Sequence, residues 1–356
     1  MKFIHTSDIH LESPMTAHLS GIRATERRRE LTDSFARMVD EAVQIGAAGM
    51  IIAGDLFDSD KLSGRIVESV LAVIVGAPRL NFFYLSGNHE KSSFLDKIGT
   101  KPKNLHIFDT GWTYYNIGEV TIAGRSSCSE DMFDTVSLQK HRKNIVVLHG
   151  ELRERSALGE VIGARDAADK NIDYLALGHY HTYSQRKIDR RCTAVYSGTP
   201  EGRGFDEAGE LGYVIIDTAG IPEHRFVPFA KRRMRVVDVD ISGVHSQGEC
   251  EFRVGLAVEN IPNEDLVRIT IAGMRDPGYI CDTDSLYRRF SSRFYYLDIK
   301  DTSKVEIRAE DYRLDKSLTG EFVRLVMNEK GLDEEERDAI LTCGLNALRG
   351  EAVYER

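Results

Sequence analysis

The chain has 356 residues, 42% of them hydrophobic and 29% charged, with a formal net charge of -9. That length favours about two domains with cores large enough to stand without covalent staples. Five cysteines, Cys128, Cys192, Cys250, Cys281 and Cys343, lie far apart with no CxxC pair, which speaks against a zinc ribbon or a disulfide framework and reads as five reduced, buried thiols.

Lys2-Phe3-Ile4 runs directly into the polar His5-Thr6-Ser7-Asp8. This is too short an apolar stretch for a signal peptide, and no segment approaches a membrane span, so a cytoplasmic protein without a membrane partner is expected. Further along, short apolar runs alternate with helical patterns. Met50-Ile51-Ile52-Ala53 ends at Gly54-Asp55, Phe82-Phe83-Tyr84-Leu85 at Gly87-Asn88-His89, Ile145-Val146-Val147-Leu148 at His149, and Tyr174-Leu175-Ala176-Leu177 at Gly178-His179. Each run reads as a buried strand that stops where a metal-competent side chain begins. Between them, 26–45 carries Leu31, Phe35, Met38, Val39, Ala42 and Val43 at helical spacing, and 66–75 reads similarly. Tyr114-Tyr115-Asn116-Ile117 and Val120-Thr121-Ile122-Ala123, joined by Gly118-Glu119, predict a hairpin. Later strands are expected at 194–196, 213–216 and 224–227.

A boundary is expected near Pro228 to Arg233, after which Val236 to Ile241 opens a second unit with a strand at 266–271, a helix at 283–290 and a strand at 294–299. In the tail, Leu318, Phe322, Leu325 and Val326 make one apolar stripe. Asp333, with Glu336 three residues on, caps a second helix bearing Ile340, Leu341, Leu345 and Leu348. The expected fold is α/β of a four-layer α+β kind, two mixed β-sheets sandwiched with flanking helices over 1–229, then a smaller α/β capping domain over 230–315 and a helical segment over 316–356.

The acidic balance gives no whole-chain footprint for nucleic acid. Basic clusters at Arg27-Arg28-Arg29, at Arg186-Lys187 with Arg190-Arg191, and at Lys231-Arg232-Arg233 with Arg235 are either solvated faces or local holds for a phosphate backbone.

The residues at the strand ends carry the chemistry. Asp8 and His10 share one side of an extended strand end. Asp55 follows a glycine at a strand mouth, Asn88 and His89 repeat the device with an amide and an imidazole, His149 ends another strand, and His179 and His181 flank Tyr180. Carboxylates, an amide oxygen and imidazoles in this mixture suit a pair of divalent cations acting on a phosphate ester.

Written out as Asp8-x-His10, Gly54-Asp55-x-x-Asp58, Gly87-Asn88-His89-Glu90, His149-Gly150 and Gly178-His179-x-His181, the pattern resembles the calcineurin-like metallophosphoesterases over about the first 220 residues. His5 to Leu11, Tyr196-Ser197-Gly198-Thr199-Pro200-Glu201-Gly202-Arg203 and Leu318 to Arg324 are similar to stretches of the SbcD/YhaO-type DNA repair exonuclease branch. The resemblance implies one metal held by Asp8, His10, Asp55 and His181, and another by Asp55, Asn88, His149 and His179, with Asp55 bridging. His89 would stabilise the transition state or protonate the leaving oxygen, and Arg203 would contact phosphate or support the ligands. It favours manganese, with iron, zinc or magnesium as the other metals, DNA as substrate, an SMC-like ATPase as partner, and a homodimer formed through helices around 66–75 and 94–98. Many nucleases of the branch have histidine where Asp58 stands, and Asp58 here either orients a ligand imidazole or caps a helix. Two other readings are a phosphodiesterase or nucleotidase for small phosphoesters, and a non-catalytic interaction subunit.

Overall fold

A computed structural model describes residues 1–15, 19, 21–90, 93–276, 279–306 and 309–348. The chain forms two compact units, Met1–Arg233 and Met234–Arg356. The strands of the first unit are β1 (Lys2–Thr6), β2 (Gly49–Ala53), β3 (Asn81–Leu85), β4 (Leu105–Ile107), β5 (Thr113–Ile117), β6 (Val120–Gly124), β7 (Lys143–His149), β8 (Glu151–Arg153), β9 (Val161–Gly163), β10 (Tyr174–Gly178), β11 (Ser184–Lys187), β12 (Thr193–Tyr196), β13 (Gly212–Asp217) and β14 (Glu223–Pro228). Its helices are α1 (Gly21–Gln44), α2 (Gly64–Gly76), α3 (Ser93–Lys97) and the single turn α4 (Ala164–Ala167).

Two six-stranded sheets, in the orders β14-β13-β1-β2-β3-β4 and β11-β12-β10-β7-β6-β5, lie face to face. The centre of each is parallel and its antiparallel strands sit at the edges. Alternation sorts the side chains: Ile145 and Val147 of β7 point into the core between the sheets with Phe3, Ile51, Phe83, Ala176 and Val214, whereas Val146 and Leu148 pack on the opposite face with Leu175, Leu177 and Phe133. The first sheet is backed by α1 and α2, whose apolar stripes (Leu31, Phe35, Met38; Ile66, Val70, Ile74) are buried. Among the described residues the second has only α4, a 3₁₀ turn at Met132–Asp134 and loops as backing, so the fourth layer is thinner than the sequence predicts. All five strands that end at a predicted ligand are parallel neighbours within their sheets, which brings their C-terminal ends to one edge of the sandwich.

The second unit contains β15 (Met234–Asp240), α5 (Gln247–Ala257), β16 (Leu266–Ala272), β17 (Met274–Arg275), α6 (Thr283–Phe290), β18 (Tyr296–Asp301), β19 (Lys304–Val305), α7 (Leu318–Asn328) and α8 (Glu334–Leu348). Its three-stranded sheet, β15-β16-β18, is parallel and packs Val239, Ile269 and Leu297 against Val254 and Leu286. Asp333 and Glu336 form the predicted reciprocal cap, each backbone N–H bonded to the other's carboxylate at 3.1 and 2.8 Å. The tail's buried stripe is rotated from the predicted one. Val323 and the predicted Leu341 and Leu345 are buried on Val305 with the predicted Phe322 and Val326 packed against them, while Leu318 and Leu325 are exposed, because α7 packs one step round its axis from its most apolar line.

Two further expectations change. Cys343 is exposed and Cys128 partly so; only Cys192, Cys250 and Cys281 are buried. Arg27, in the first basic cluster, is wholly buried and bonds Glu30 at 2.5 Å and the Gly202 carbonyl at 2.8 Å. Glu30 also takes ion pairs from Lys231 and Arg232, at 2.9 and 3.0 Å. This network ties Lys231 and Arg232 to α1, and the first compact unit runs to Arg233, with α7 and α8 in the second.

Burial pushes the Glu30 carboxyl up, but hydrogen bonds from Arg232, Lys231 and Arg27 outweigh it and hold the group at about 2, against an ordinary 4.5. A carboxylate with a depressed folded pKa stabilises the fold above its unfolded value and loses that contribution as pH falls through the folded one. Glu30→Gln therefore removes up to about 3 kcal/mol at neutral pH, and its deficit relative to the parent shrinks between pH 4.5 and about 2, as read by urea denaturation across that range.

Candidate metal centre

Five loops meet above the strand ends. Among their non-glycine residues, Asp8, His10, Asp55 and His179 adopt positive φ (51°, 50°, 51° and 104°). Aspartate and histidine tolerate this region better than most side chains, yet each instance costs on the order of 1–3 kcal/mol and persists because the surrounding structure imposes it. Backbone bonds do the imposing: Asp8 N–H to the Gly54 carbonyl at 3.1 Å, and His10 N–H to the Asp55 carbonyl at 3.0 Å. Glycines permit the approach. A Cβ on Gly54 would lie 2.1 Å from His149 Nδ1, one on Gly87 2.0 Å from Asp55 Oδ1, and one on Gly178 2.0 Å from the Ala53 carbonyl.

The imidazoles share one arrangement. His149 Nδ1–H donates to the Ala53 carbonyl at 2.9 Å, His181 Nδ1–H donates to Glu207 Oε1 at 2.7 Å, and His10 Nδ1 lies 3.1 Å from Asp58 Oδ1. With the Nδ1 atoms turned toward these groups, the Nε2 atoms face inward, where a divalent cation can take the place of a proton. His10 Nε2 and His181 Nε2 face each other at 3.3 Å. His181 Nε2 is 3.9 Å from Asp8 Oδ1, and His149 Nε2 is 3.4 Å from Asp55 Oδ2 and 3.0 Å from Asn88 Oδ1. Two imidazole nitrogens at 3.3 Å need a shared proton or a metal ion between them, and with Asp8 and Asp55 alongside the donor set fits a metal.

The groups that converge tightly are Asp8, His10 and His181; Asp8, Asp55 and His149; and His10, Asp58 and His89. Asn88 joins the second through its contact with His149. His179 stands apart: its backbone N–H binds both carboxylate oxygens of Asp8 at 3.0 Å, and its Nδ1 lies 3.7 Å from Glu160. His89 is exposed at the mouth, its ring 5.0 Å from that of His10, with Nδ1 3.3 Å from the Asp58 carbonyl. Asp58 caps no helix, since Ser63 caps α2; it bonds Arg203 at 2.7 Å. Arg203 also binds Glu207 at 2.8 Å, spanning the two carboxylates that hold His10 and His181.

Glu207 and Glu90 complete the site and were not among the predicted site residues. Glu207 has no local signal beyond its i+4 spacing from Arg203. Glu90, buried, accepts from the backbone N–H groups of Phe57, Gly87 and Leu56 at 2.8, 3.2 and 3.3 Å, locking the Asn88–His89 loop onto the Asp55 loop.

The electrostatics are those of a cation site. Burial raises the Asp55 carboxyl, but the neighbouring His149 overrides it and sets the group at about 2; His149 in turn is driven down by burial and up, further, by Asp55 and Asp8, to about 9. A proton on His149 thus does in the metal-free protein part of what a divalent ion would do. Burial raises Glu207 too, and His181 with Arg203 brings it to about 2, a permanent anion behind the imidazole.

Gly87→Ala drives its methyl into Asp55 while leaving every donor atom in the chain. It should retain the far-ultraviolet circular dichroism of the parent and lose tenfold or more in metal affinity, measured by metal content after equilibrium dialysis.

Comparison with known proteins agrees with this geometry. The family model for calcineurin-like phosphoesterase matches residues 1–183. The chain is 26% identical over 270 residues to DNA double-strand break repair protein Mre11 of Sulfurisphaera tokodaii, covering 69% of this chain and 67% of that one. It is 25% identical over 242 residues to the uncharacterized metallophosphoesterase YhaO of Bacillus subtilis, covering 61% and 57%. With the Mre11 protein of Saccharolobus solfataricus it shares 22% identity over 384 aligned positions, covering 100% and 97%. The matched stretch is thus just over half of YhaO and nearly the whole of the last. With convergent imidazoles and carboxylates at its strand ends and this match over its first 183 residues, the chain belongs to the calcineurin-like phosphoesterase family.

Proposed function

We propose that the chain is a two-metal phosphodiester hydrolase acting on DNA, a nuclease of the SbcD/YhaO kind working in DNA repair with an SMC-like ATPase and as a homodimer. The observation that carries the hydrolase is the pair of inward Nε2 atoms at 3.3 Å beside buried Asp8 and Asp55. DNA as substrate is supported by the names of its relatives, one of which, Mre11 of Saccharolobus solfataricus, aligns along nearly all of both chains.

In this reading Asp8, His10, Asp55 and His181 hold one ion, and Asp55, Asn88, His149 and His179 the other, with manganese favoured. Bound there, two such ions would supply an activated water and charge neutralisation for displacement at phosphorus. The chain's own groups do the rest. Asp58 and Glu207 orient His10 and His181 through their Nδ1 atoms, and Arg203 holds both carboxylates in place. Glu90 keeps the Asp55 and Asn88 loops in register. His89, solvent-facing next to this cluster, stabilises the charged phosphorane oxygens or protonates the leaving oxygen.

His89→Ala should keep both ions and the parent's thermal unfolding but lose about 10²–10⁴-fold in turnover, measured on bis(p-nitrophenyl) phosphate with manganese. An unchanged rate would remove His89 from the reaction, and no turnover in the parent would point to the non-catalytic interaction subunit.

The acidic composition favours one competitor, a hydrolase of small phosphoesters. Salt separates the two. A DNA enzyme releases counterions on binding, so its affinity falls steeply between about 50 and 200 mM salt, whereas a small diester gives a shallow slope. Turnover of bis(p-nitrophenyl) phosphate with no cleavage or binding of DNA in manganese would reject the nuclease.

A further inference from the structure

The second sheet carries another charged feature at the end away from the metal centre. Lys140 and His141 precede β7, Lys187 ends β11, and Arg190 sits in the turn before β12; they surround a cleft of about 440 Å³. The acidic residue lining it, Asp173, is already committed, accepting from Arg191 at 2.7 and 2.8 Å and from the Asn144 N–H at 2.7 Å. Arg142, also at the cleft, is committed as well, to Thr121 and to the Gly118 and Val120 carbonyls. The side chains of Lys140, His141 and Arg190, by contrast, meet no hydrogen-bond or ion-pair partner among the described residues, and Lys187 bonds the neutral oxygens of Thr193 and Arg191 with the Asp189 carboxylate in electrostatic reach. All four are exposed. In a chain of net charge -9, three exposed cations around one concavity, two of them (Lys140 and Arg190) without an ion-pair partner among the described residues, are a local feature that composition does not explain.

Its position relates it to the site. Strand β7 runs from Lys143 at the cleft to His149 at the metal centre, about 20 Å at roughly 3.3 Å per residue. Edge strand β11 connects the same two ends along the outside: it begins shortly after His181, pairs Ser184 with Tyr196 and Lys187 with Thr193, and is exposed throughout. Across from it His224 of β14, another edge strand, meets Gln185 at 2.8 Å and also lines the cleft. An open, basic-tipped path therefore leads from the metal ligands to the cleft.

We infer that this cleft is a second phosphate-backbone site, holding the far part of a nucleic-acid strand whose scissile phosphate lies at the metal centre, with the strand passing along β11. The inference rests on the nuclease reading above. Because stacked nucleotides rise about 3.4 Å each, the two sites are about six nucleotides apart, and an oligonucleotide shorter than that engages only one of them.

The test uses the full chain with manganese and the variant Lys140→Glu/Arg190→Glu, which touches no residue of the metal centre. Fluorescein-labelled single strands of three and twelve nucleotides are titrated by anisotropy across a salt series. Turnover of bis(p-nitrophenyl) phosphate is followed in parallel, and inorganic tripolyphosphate serves as a small-anion probe. The parent should bind the longer strand at least tenfold tighter than the shorter. The variant should lose that gap, show a salt slope lower by about 1.4 for two lost single-strand contacts, and hydrolyse the small diester at the parental rate. Equal twelve-nucleotide affinity in parent and variant overturns the inference, as does tripolyphosphate binding that the variant loses while strand affinity stays unchanged. If neither protein binds any strand while both hydrolyse the small diester, it is the nuclease reading that has failed, and that result is distinct from the other two.

Discussion

The arrangement on which the rest depends is the outward commitment of imidazole Nδ1 atoms. A neutral imidazole has one donor and one acceptor nitrogen, and the partner of the first decides where the second points. Here a main-chain carbonyl, Ala53 O, and the carboxylates of Asp58 and Glu207 take the Nδ1 side of His149, His10 and His181. The Nε2 nitrogens are consequently gathered in a space already bounded by Asp8 and Asp55. Nothing inside that space can satisfy them except positive charge.

Holding such a cluster together is expensive in backbone conformation, and the sandwich supplies the rigidity. Four of the converging residues have left-handed φ angles, which no isolated loop would keep. They keep it because the strands beneath are parallel neighbours with almost wholly buried side chains, so the loop stems cannot shift independently. Glu90 and the Ser7–Ser197 hydroxyl contact at 2.8 Å then fasten loop to loop across distances of 33 and 190 residues. Local strain and global packing are thus two aspects of one design: the core fixes the stems, and the stems force the donors together.

This division explains what could be read from sequence. Strands such as Ile145 to Leu148 are legible because burial on both faces writes a continuous apolar run, and the ligands are legible because each run ends on one. The capping pair Asp333 and Glu336 is legible for a similar reason, since its chemistry is local. Glu207 is not: its importance lies in a contact with His181, 26 residues earlier, that no periodicity encodes. The helix α7 shows a related limit. Hydrophobicity located its apolar side, but which line of that side faces Val305 and Leu345 is decided by the partner helix and not by the stripe itself. Arg27 fails for the same reason, a basic residue in a basic run that is nonetheless buried on Glu30 and the Gly202 carbonyl.

Net charge is the coarsest of these sequence quantities and the most misleading one here. A sum of -9 averages carboxylates that serve the metal centre, such as Asp8, Asp55, Asp58 and Glu207, with exposed cations that serve nothing inside the chain. A divalent pair would cancel much of the first group, because ligand carboxylates do not present their charge to solvent once a cation is bound. What a polyanion meets is the remainder, screened beyond about 10 Å at 0.1 M salt, so the electrostatics that matter are those within a Debye length of the strand's path. On that scale the far end of β7 carries exposed cations and the near end is built for metal ions, so under the nuclease reading an acidic protein would still offer a phosphate backbone attraction at both ends.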